Sequence, residues 1–239
     1  MWLAFKDIIF DGLQYLFSIT GDYGWAIVLL TVVIRIVLAP LIVKQTRSMH
    51  ELQGIQPKIK ELQKKYKNDK EKLQEETLKF YQENKINPFG GCMPILLQMP
   101  VFLALFQVLG GTPENPGHLL RHLQALEPAE SVVAKRFSVL IEDITVTPAA
   151  VFASDGLVAT LPYIALVVLF GLSVWLPIQL APGEKQQKQI GMFMAVMMLY
   201  FGWISPAGVL LYWVTSAIIG IAQQQITLKV LTRSKEKNL

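Results

Sequence analysis

A single arginine interrupts the first long apolar run of the sequence, in the stretch TVVIRIVLAP (Thr31–Pro40). Arg35 carries a permanent charge, and placing such a charge in the hydrocarbon of a bilayer costs roughly 2.5–3.5 kcal/mol on translocon scales. Counted back from Val43, at the end of the run, Arg35 lies eight residues deep, or about 12 Å along a helix. Something other than lipid must therefore solvate the guanidinium.

Acidic partners for Arg35 are not found in the apolar runs, because every Asp and Glu lies in a connection or at the end of a run. The sequence predicts instead a water-filled groove at inner-leaflet depth, lined by polar side chains of several runs. The predicted groove residues are Arg35, Thr31, Gln98, Ser173, Tyr212 and Trp213, with Thr215 and Ser216 beside them. Such a groove would attract acidic or polar groups that have to leave the cytoplasm. The alternative is that Arg35 snorkels to the headgroups and only enforces topology.

Enzyme chemistry is not indicated by the remaining reactive side chains. Cys92 is the one cysteine, so neither an internal disulfide nor a cysteine cluster is expected. His118 and His122 stand four residues apart and could bind a stray ion, but with His50 they form no ligand set. Phosphate loops and nucleophile motifs are not found. The sequence predicts no enzyme, no cofactor, no metal centre and no DNA partner.

Apolar residues make up 52% of the 239 residues and gather in long blocks, which is typical of an all-α polytopic membrane protein. Five blocks are predicted to span the bilayer, and the fourth is short enough to require tilt mismatch or local bilayer thinning. The predicted spans are 21–43, 89–110, 157–178, 190–204 and 205–226.

The basic residues predict how these spans are oriented. Segment 44–88 holds eleven Lys or Arg, and the loop 179–189 and the tail 227–239 are basic as well. The loop 111–156 holds three Lys or Arg against six Asp or Glu. We therefore expect the loop 111–156 and the N-terminus outside, and the C-terminus in the cytoplasm.

Two further segments show helical periodicity without being long apolar runs. Residues 1–20 predict an amphipathic helix in the extracytoplasmic interface, with an ordinary packed helix as the alternative. Asp7 and Asp11 and the missing cleavage site argue against a cleavable signal peptide there. Segment 44–88 predicts a cytoplasmic helical hairpin, which is either a landing site for partners or a solvated hairpin with structural duties only.

Three stretches of the sequence resemble the YidC/Oxa1/Alb3 family of membrane protein insertases. NPFGGCMPILLQMPVFLALF (Asn87–Phe106) closely resembles the start of the family's second core helix. VIRIVLAPL with the later IQPKIKELQKKY resembles the first core helix and cytoplasmic hairpin, and SPAGVLLYWVTSAIIGIAQQQ (Ser205–Gln225) resembles the closing turn and helix. The resemblance covers nearly the whole chain in the right order and fits the bacterial branch best. The large extracytoplasmic domain that precedes the core in many Gram-negative members is missing from this sequence, so we expect either a short form or a trimmed chain.

The resemblance implies five core helices around a hydrophilic groove that opens to the cytoplasm and to lipid and is closed on the outside. Arg35 occupies the position of the family's groove arginine, and Thr31 and Trp213 align with positions that contact nascent chains. Trp213 stands where some members have tyrosine, and Ser173 stands where some have glutamine.

The implied activity is the insertion and folding of newly made membrane proteins in the bacterial plasma (inner) membrane, without an energy source of its own. Nascent membrane-protein chains and the lipid bilayer are the implied partners. The ribosome, the signal recognition particle receptor and the Sec translocon are further candidates, reached through 44–88, 179–189 and 227–239.

A small anion transporter that uses Arg35 as its anion site is the main alternative from another class. A transporter is expected to show inverted repeats or broken helices, and the sequence shows no repeat. A lipid scramblase would use the same groove and stays open as a third possibility.

Overall fold

The computed structural model describes residues 1–67, 69–84, 93–110, 117–126, 128–180 and 185–236, and these residues are predominantly helical. The helices are α1 (Trp2–Thr20), α2 (Tyr23–Lys65), α3 (Lys70–Glu83), α4 (Met93–Leu109), α5 (His118–Gln124), α6 (Pro128–Ala134), α7 (Pro148–Leu180), α8 (Lys185–Trp203) and α9 (Ala207–Glu236). The prediction of an all-α protein is confirmed. Residues 85–92, which the sequence assigned to the hairpin and second span, and 111–116 of the outer loop lie outside the described residues.

Three of the described helices are long and apolar enough to cross a membrane. Their candidate spans are Tyr23–Leu52 on α2, Pro148–Gln179 on α7 and Ala207–Val230 on α9. A shorter apolar helix, Gln98–Leu109, lies on α4. The predicted second and fourth spans fall on α4 and α8 and stay predictions.

The chain divides into two compact units. The first consists of Met1–Ile36 and Pro100–Gly220, and the second of Val37–Met99 and Ile221–Leu239. The first unit contains a continuous apolar core to which α1, α2, α4, α7 and α9 contribute. Fully buried members of this core include Leu13, Ile27, Leu105, Phe170 and Leu210.

The first helix turns into the second at Gly21, whose φ of 68° lies in the left-handed region. The Gly21 N–H donates to Phe17 O at 2.7 Å, and the rings of Phe17 and Tyr23 stack at 4.1 Å across the turn. On α1, Ile9 and Leu13 are buried, whereas Ile8 and Tyr15 are exposed. The helix thus packs through one face and leaves apolar side chains on another, and its interfacial location stays a prediction.

The connection between α6 and α7 caps the first turn of α9. Ala207 N–H donates to Val146 O at 3.0 Å and Gly208 N–H donates to Ile144 O at 2.7 Å, so that two of the unpaired donors at the start of α9 are satisfied. Helix α7 has a break at Gly156, with φ 77° and ψ −172°. This break immediately precedes the predicted third span, 157–178.

In the second unit, α2 continues past the predicted first span to Lys65 and is followed by α3. Asp69 begins α3, because its carboxylate accepts a hydrogen bond from Lys72 N–H at 3.0 Å. The two helices fall within the predicted hairpin segment 44–88, and the hairpin itself stays a prediction.

Candidate functional site

The guanidinium of Arg35 contacts α9 in the first unit. Its Nε and Nη2 both donate to Ser216 Oγ, at 2.9 Å and 2.7 Å. Ser216 is buried and Arg35 is partly buried. Hydrogen bonds from a charged donor are stronger than neutral ones. The serine hydroxyl therefore holds one edge of the guanidinium against α9.

Gly220 lets the Arg35 side chain approach α9 closely. A Cβ added to Gly220 would lie 3.0 Å from Nη1, 3.1 Å from Nη2 and 3.3 Å from Cζ of Arg35. Gly220 follows Ser216 by four residues, so the two share one face of the helix. The sequence reasoning named Ser216 but missed Gly220. The spacing of Tyr212, Ser216 and Gly220, four residues apart each time, was the available signal.

Thr31 and Tyr212 lie in the interior of the same unit. Thr31 is 0% exposed and its Oγ1 donates to Ile27 O, one turn earlier, at 2.7 Å. Tyr212 is 1% exposed. Each lies one helical turn before a member of the arginine contact, Thr31 before Arg35 and Tyr212 before Ser216.

Trp213 and Ser173, which the sequence placed in one groove, are in direct contact. Trp213 Nε1 donates to Ser173 Oγ at 3.2 Å, and Ser173 Oγ donates to Phe170 O at 2.7 Å. The Trp213 ring meets Phe102 and Phe170 edge to face, at 5.2 Å and 5.3 Å between centroids. Ser173 therefore provides a polar contact for an indole that is otherwise set among aromatic rings.

Five of the six predicted groove residues thus belong to the first unit, where they take part in the Arg35 contact, flank it or form the Ser173–Trp213 pair. Gln98 belongs to the second unit and is partly buried. Thr31, Tyr212 and Ser216 are buried and Arg35 is only partly buried, so the guanidinium is the polar group of this cluster that reaches the surface. Among the described residues, no group of three or more His, Cys, Asp or Glu could hold a metal ion.

Comparison with known families gives a match over most of the chain. The family described as 60Kd inner membrane protein matches residues 15–235. This range contains all six predicted groove residues, from Thr31 to Trp213.

Curated relatives of the chain carry the name Membrane protein insertase YidC. The protein of Syntrophobacter fumaroxidans is 36% identical over 231 residues, which cover 93% of this chain and 38% of the relative. The protein of Wolinella succinogenes is 36% identical over 234 residues, covering 97% of this chain and 38% of the relative. The chain thus spans less than two fifths of the length of these relatives.

A solved structure with a similar fold is described as an active YidC insertase crystal structure with the first transmembrane domain resolved. The TM-score is 0.66 at 25% sequence identity, and the alignment covers 94% of this chain and 45% of the other. The similarity therefore extends over nearly all of this chain.

Proposed function

Because the chain belongs to the 60Kd inner membrane protein family, we propose that it is a membrane protein insertase. It takes newly made membrane proteins from the cytoplasm, inserts them into the bilayer and helps them fold, without bond chemistry or an energy source of its own. The observation that carries this proposal is Arg35, a cation inside a candidate span whose guanidinium is held against Ser216.

The proposed architecture has five spanning helices around a groove that opens to the cytoplasm and to lipid. The hairpin 44–88 stands in the cytoplasm, residues 1–20 lie in the opposite interface, and the N-terminus is outside. Three candidate spans and the basic character of 44–88 support this arrangement. The predicted boundaries of all segments are part of the proposal.

In this mechanism Arg35 attracts the polar, often acidic, tail that precedes or follows a substrate's apolar segment. Two opposite charges attract each other more strongly in a protein environment than in water. The interaction energy of two unit charges 4 Å apart is about 4 kcal/mol at an effective dielectric constant of 20. Attraction of this size offsets part of the cost of bringing a carboxylate into the inner leaflet. The Arg35 site thus lowers the barrier for the tail.

The apolar segment of the substrate follows along the aromatic surface near Trp213. Edge-to-face contacts with Phe102 and Phe170 give this surface a defined shape. Transfer of about 20 apolar residues into lipid then drives release, because a spanning helix of that length matches the hydrocarbon thickness. No step of this proposed mechanism requires nucleotide hydrolysis.

The proposed partners follow from the same function. Nascent membrane-protein chains and lipid are the substrate and the medium. The basic segments 44–88, 179–189 and 227–239 are candidate contacts for the ribosome, the signal recognition particle receptor and the Sec translocon, since basic surfaces attract nucleic acid and acidic proteins.

The proposal is tested by reconstituting the purified chain in liposomes and measuring the insertion of a single-span substrate with an acidic tail. Arg35→Ala should lower insertion at least about tenfold, which corresponds to about 1.4 kcal/mol. Arg35→Lys is the matched control, because it keeps the charge and should retain most of the activity. A substrate with a neutral tail should respond less to either change.

The two alternatives give different results in the same liposomes. Anion flux without insertion would replace the insertase with a transporter, and lipid exchange between leaflets without insertion would replace it with a scramblase. Insertion that is equal in wild type and Arg35→Ala would keep the insertase but remove the electrostatic role of Arg35.

A further inference from the structure

A short hairpin turn between α6 and α7 leaves two apolar side chains in the open. Phe137 and Ile141 form an antiparallel bridge, with Phe137 N–H donating to Ile141 O at 2.8 Å. Ile141 is buried and Phe137 packs against the core, so the base of the turn is fixed. At its tip, Val139 is 97% exposed and Leu140 is 60% exposed.

The turn is fastened to the beginning of α2. Ser138 has a φ of 50°, which is uncommon for a residue other than glycine. Its N–H donates to Asp22 Oδ2 at 2.7 Å, and its Oγ accepts from Trp25 Nε1 at 2.8 Å. A Cβ on Gly24 would overlap the Phe137 ring, so the glycine allows this close approach. The position of the turn beside Trp25 is therefore held by several independent contacts.

Trp25 begins a row of exposed apolar side chains on the candidate span of α2. Trp25, Leu29, Val33 and Ile36 recur at intervals of four, four and three residues and are 47%, 37%, 49% and 65% exposed. These intervals put them on one face of the helix. Since this helix is apolar and long enough to span a bilayer, that face meets lipid. Tryptophan at the end of such a row is typical of the bilayer interface.

The turn therefore lies at the level of Trp25, the first residue of the lipid-facing row of α2. Exposed charged residues flank it on both sides, Arg136 before Phe137 and Glu142 after Ile141. An apolar tip between charged flanks suits a shallow position, in which the tip reaches the acyl chains and the charges stay among the headgroups.

We propose that the turn Ser138–Leu140 is a membrane anchor, seated in the bilayer interface at the N-terminal end of α2. Val139 and Leu140 contact the phospholipid acyl chains, and Asp22 and Trp25 hold the turn at that depth. The segment is thus part of the lipid-contacting surface rather than a loop in water. This assignment depends on the fold alone and does not require the proposed insertase activity.

Spin labels measure the proposed depth directly. In the 239-residue chain with Cys92→Ser, a nitroxide is attached at Val139→Cys and the protein is reconstituted in phospholipid nanodiscs. Collision with oxygen, which partitions into lipid, is compared with collision with a water-soluble nickel chelate. Leu29→Cys on the exposed row gives the lipid reference, and Glu83→Cys on α3 gives the water reference.

We expect the ratio of oxygen to nickel collisions at residue 139 to fall on the lipid side of the midpoint between the references. A ratio on the water side would overturn the proposal, and so would shielding from both reagents, which would mean that another protein segment covers the turn. Asp22→Ala should lower the ratio of oxygen to nickel collisions at residue 139 several-fold, toward the water reference. Asp11→Ala on α1 should leave this ratio unchanged. An unchanged ratio in Asp22→Ala would remove Asp22 from the anchor.

Discussion

At the scale of single residues, the contact between Arg35 and α9 shows how a charge is accommodated within a candidate span. Ser216 accepts two hydrogen bonds from the guanidinium, and Gly220 leaves the space that the guanidinium occupies. A buried charge is tolerated when its donors find acceptors, because the lost hydration is then partly replaced. Ser216 and Gly220 thus act on Arg35 in different ways, one by bonding and one by its missing side chain.

Ser216→Ala should destabilise the protein and weaken insertion of a substrate with an acidic tail. Hydrogen bonds to charged groups stabilise by about 1.5–3 kcal/mol, and the alanine leaves the Nε and Nη2 donors without this acceptor. Thermal unfolding in detergent and the liposome insertion assay measure the two effects. Ser216→Thr keeps the hydroxyl and is the matched control, and equal behaviour of the alanine and threonine variants would contradict the role of the hydroxyl.

Gly220→Ala should lower the insertion of the same acidic-tail substrate by displacing the guanidinium. Its new Cβ would lie 3.0–3.3 Å from three atoms of the group, which is tighter than most Cβ contacts, so the guanidinium would have to shift by a few tenths of an ångström. Gly12→Ala is the matched control, since its Cβ would meet Leu30 Cδ1 at an ordinary 3.6 Å. If both glycine variants insert the substrate as well as wild type does, the close approach of Arg35 to Gly220 is not needed for insertion.

At the scale of elements, helices α7 and α8 pack closely through glycines. A Cβ on Gly191 of α8 would overlap Cγ2 of Ile178 on α7, and a Cβ on Gly171 of α7 would lie 2.9 Å from Leu199 Cγ on α8. Small residues let helices approach where lipid surrounds them, because packing replaces the hydrophobic effect as the source of association. The two glycines lie on opposite helices, so each helix contributes one close contact.

Gly191→Ala should lower the stability of the α7–α8 pair by about 1–3 kcal/mol, the usual range for an overpacked site. Ile178 is β-branched and has little freedom to move its Cγ2 away. Gly54→Ala is the matched control on α2, because its added Cβ meets no atom within 4 Å among the described residues beyond its own stretch of helix. Unfolding in detergent measures both, and a Gly191→Ala protein as stable as Gly54→Ala would contradict the packing argument.

At the scale of the whole molecule, the distribution of charge predicts how the chain lies in its membrane. The segment 44–88 carries eleven basic residues, whereas the loop 111–156 carries three. Basic connections stay in the cytoplasm, so the two segments should face opposite sides. The family match and the candidate spans support a membrane protein, and the charge distribution predicts its orientation.

Labelling from outside intact cells should distinguish the two sides. In the Cys92→Ser chain, Glu130→Cys on α6 should react with a membrane-impermeant thiol reagent before permeabilisation, whereas Glu83→Cys on α3 should react only afterwards. Both side chains are exposed, so burial does not decide the result. The opposite pattern would reverse the predicted orientation.

The sequence by itself determined the helical class, the main apolar segments and the unusual position of Arg35. These properties depend on composition and spacing within one segment, and a bilayer imposes a length and polarity that can be read locally. The family resemblance rests on the same local stretches, and the family match confirms it. The sequence predicted which residues belong to the groove, but not which of them contact each other.

The tertiary structure decided which side chains meet. Arg35 and Ser216 are 181 residues apart, and Trp25 and Ser138 are 113 apart, so neither contact follows from periodicity within a helix. Gly220 and Gly24 became informative only when the side chain facing each one was known. A hydrophobic pattern indicates which face of a helix is apolar, but the rotation and approach of packed helices set the contacts between polar groups, and these depend on the shape of every neighbour at once.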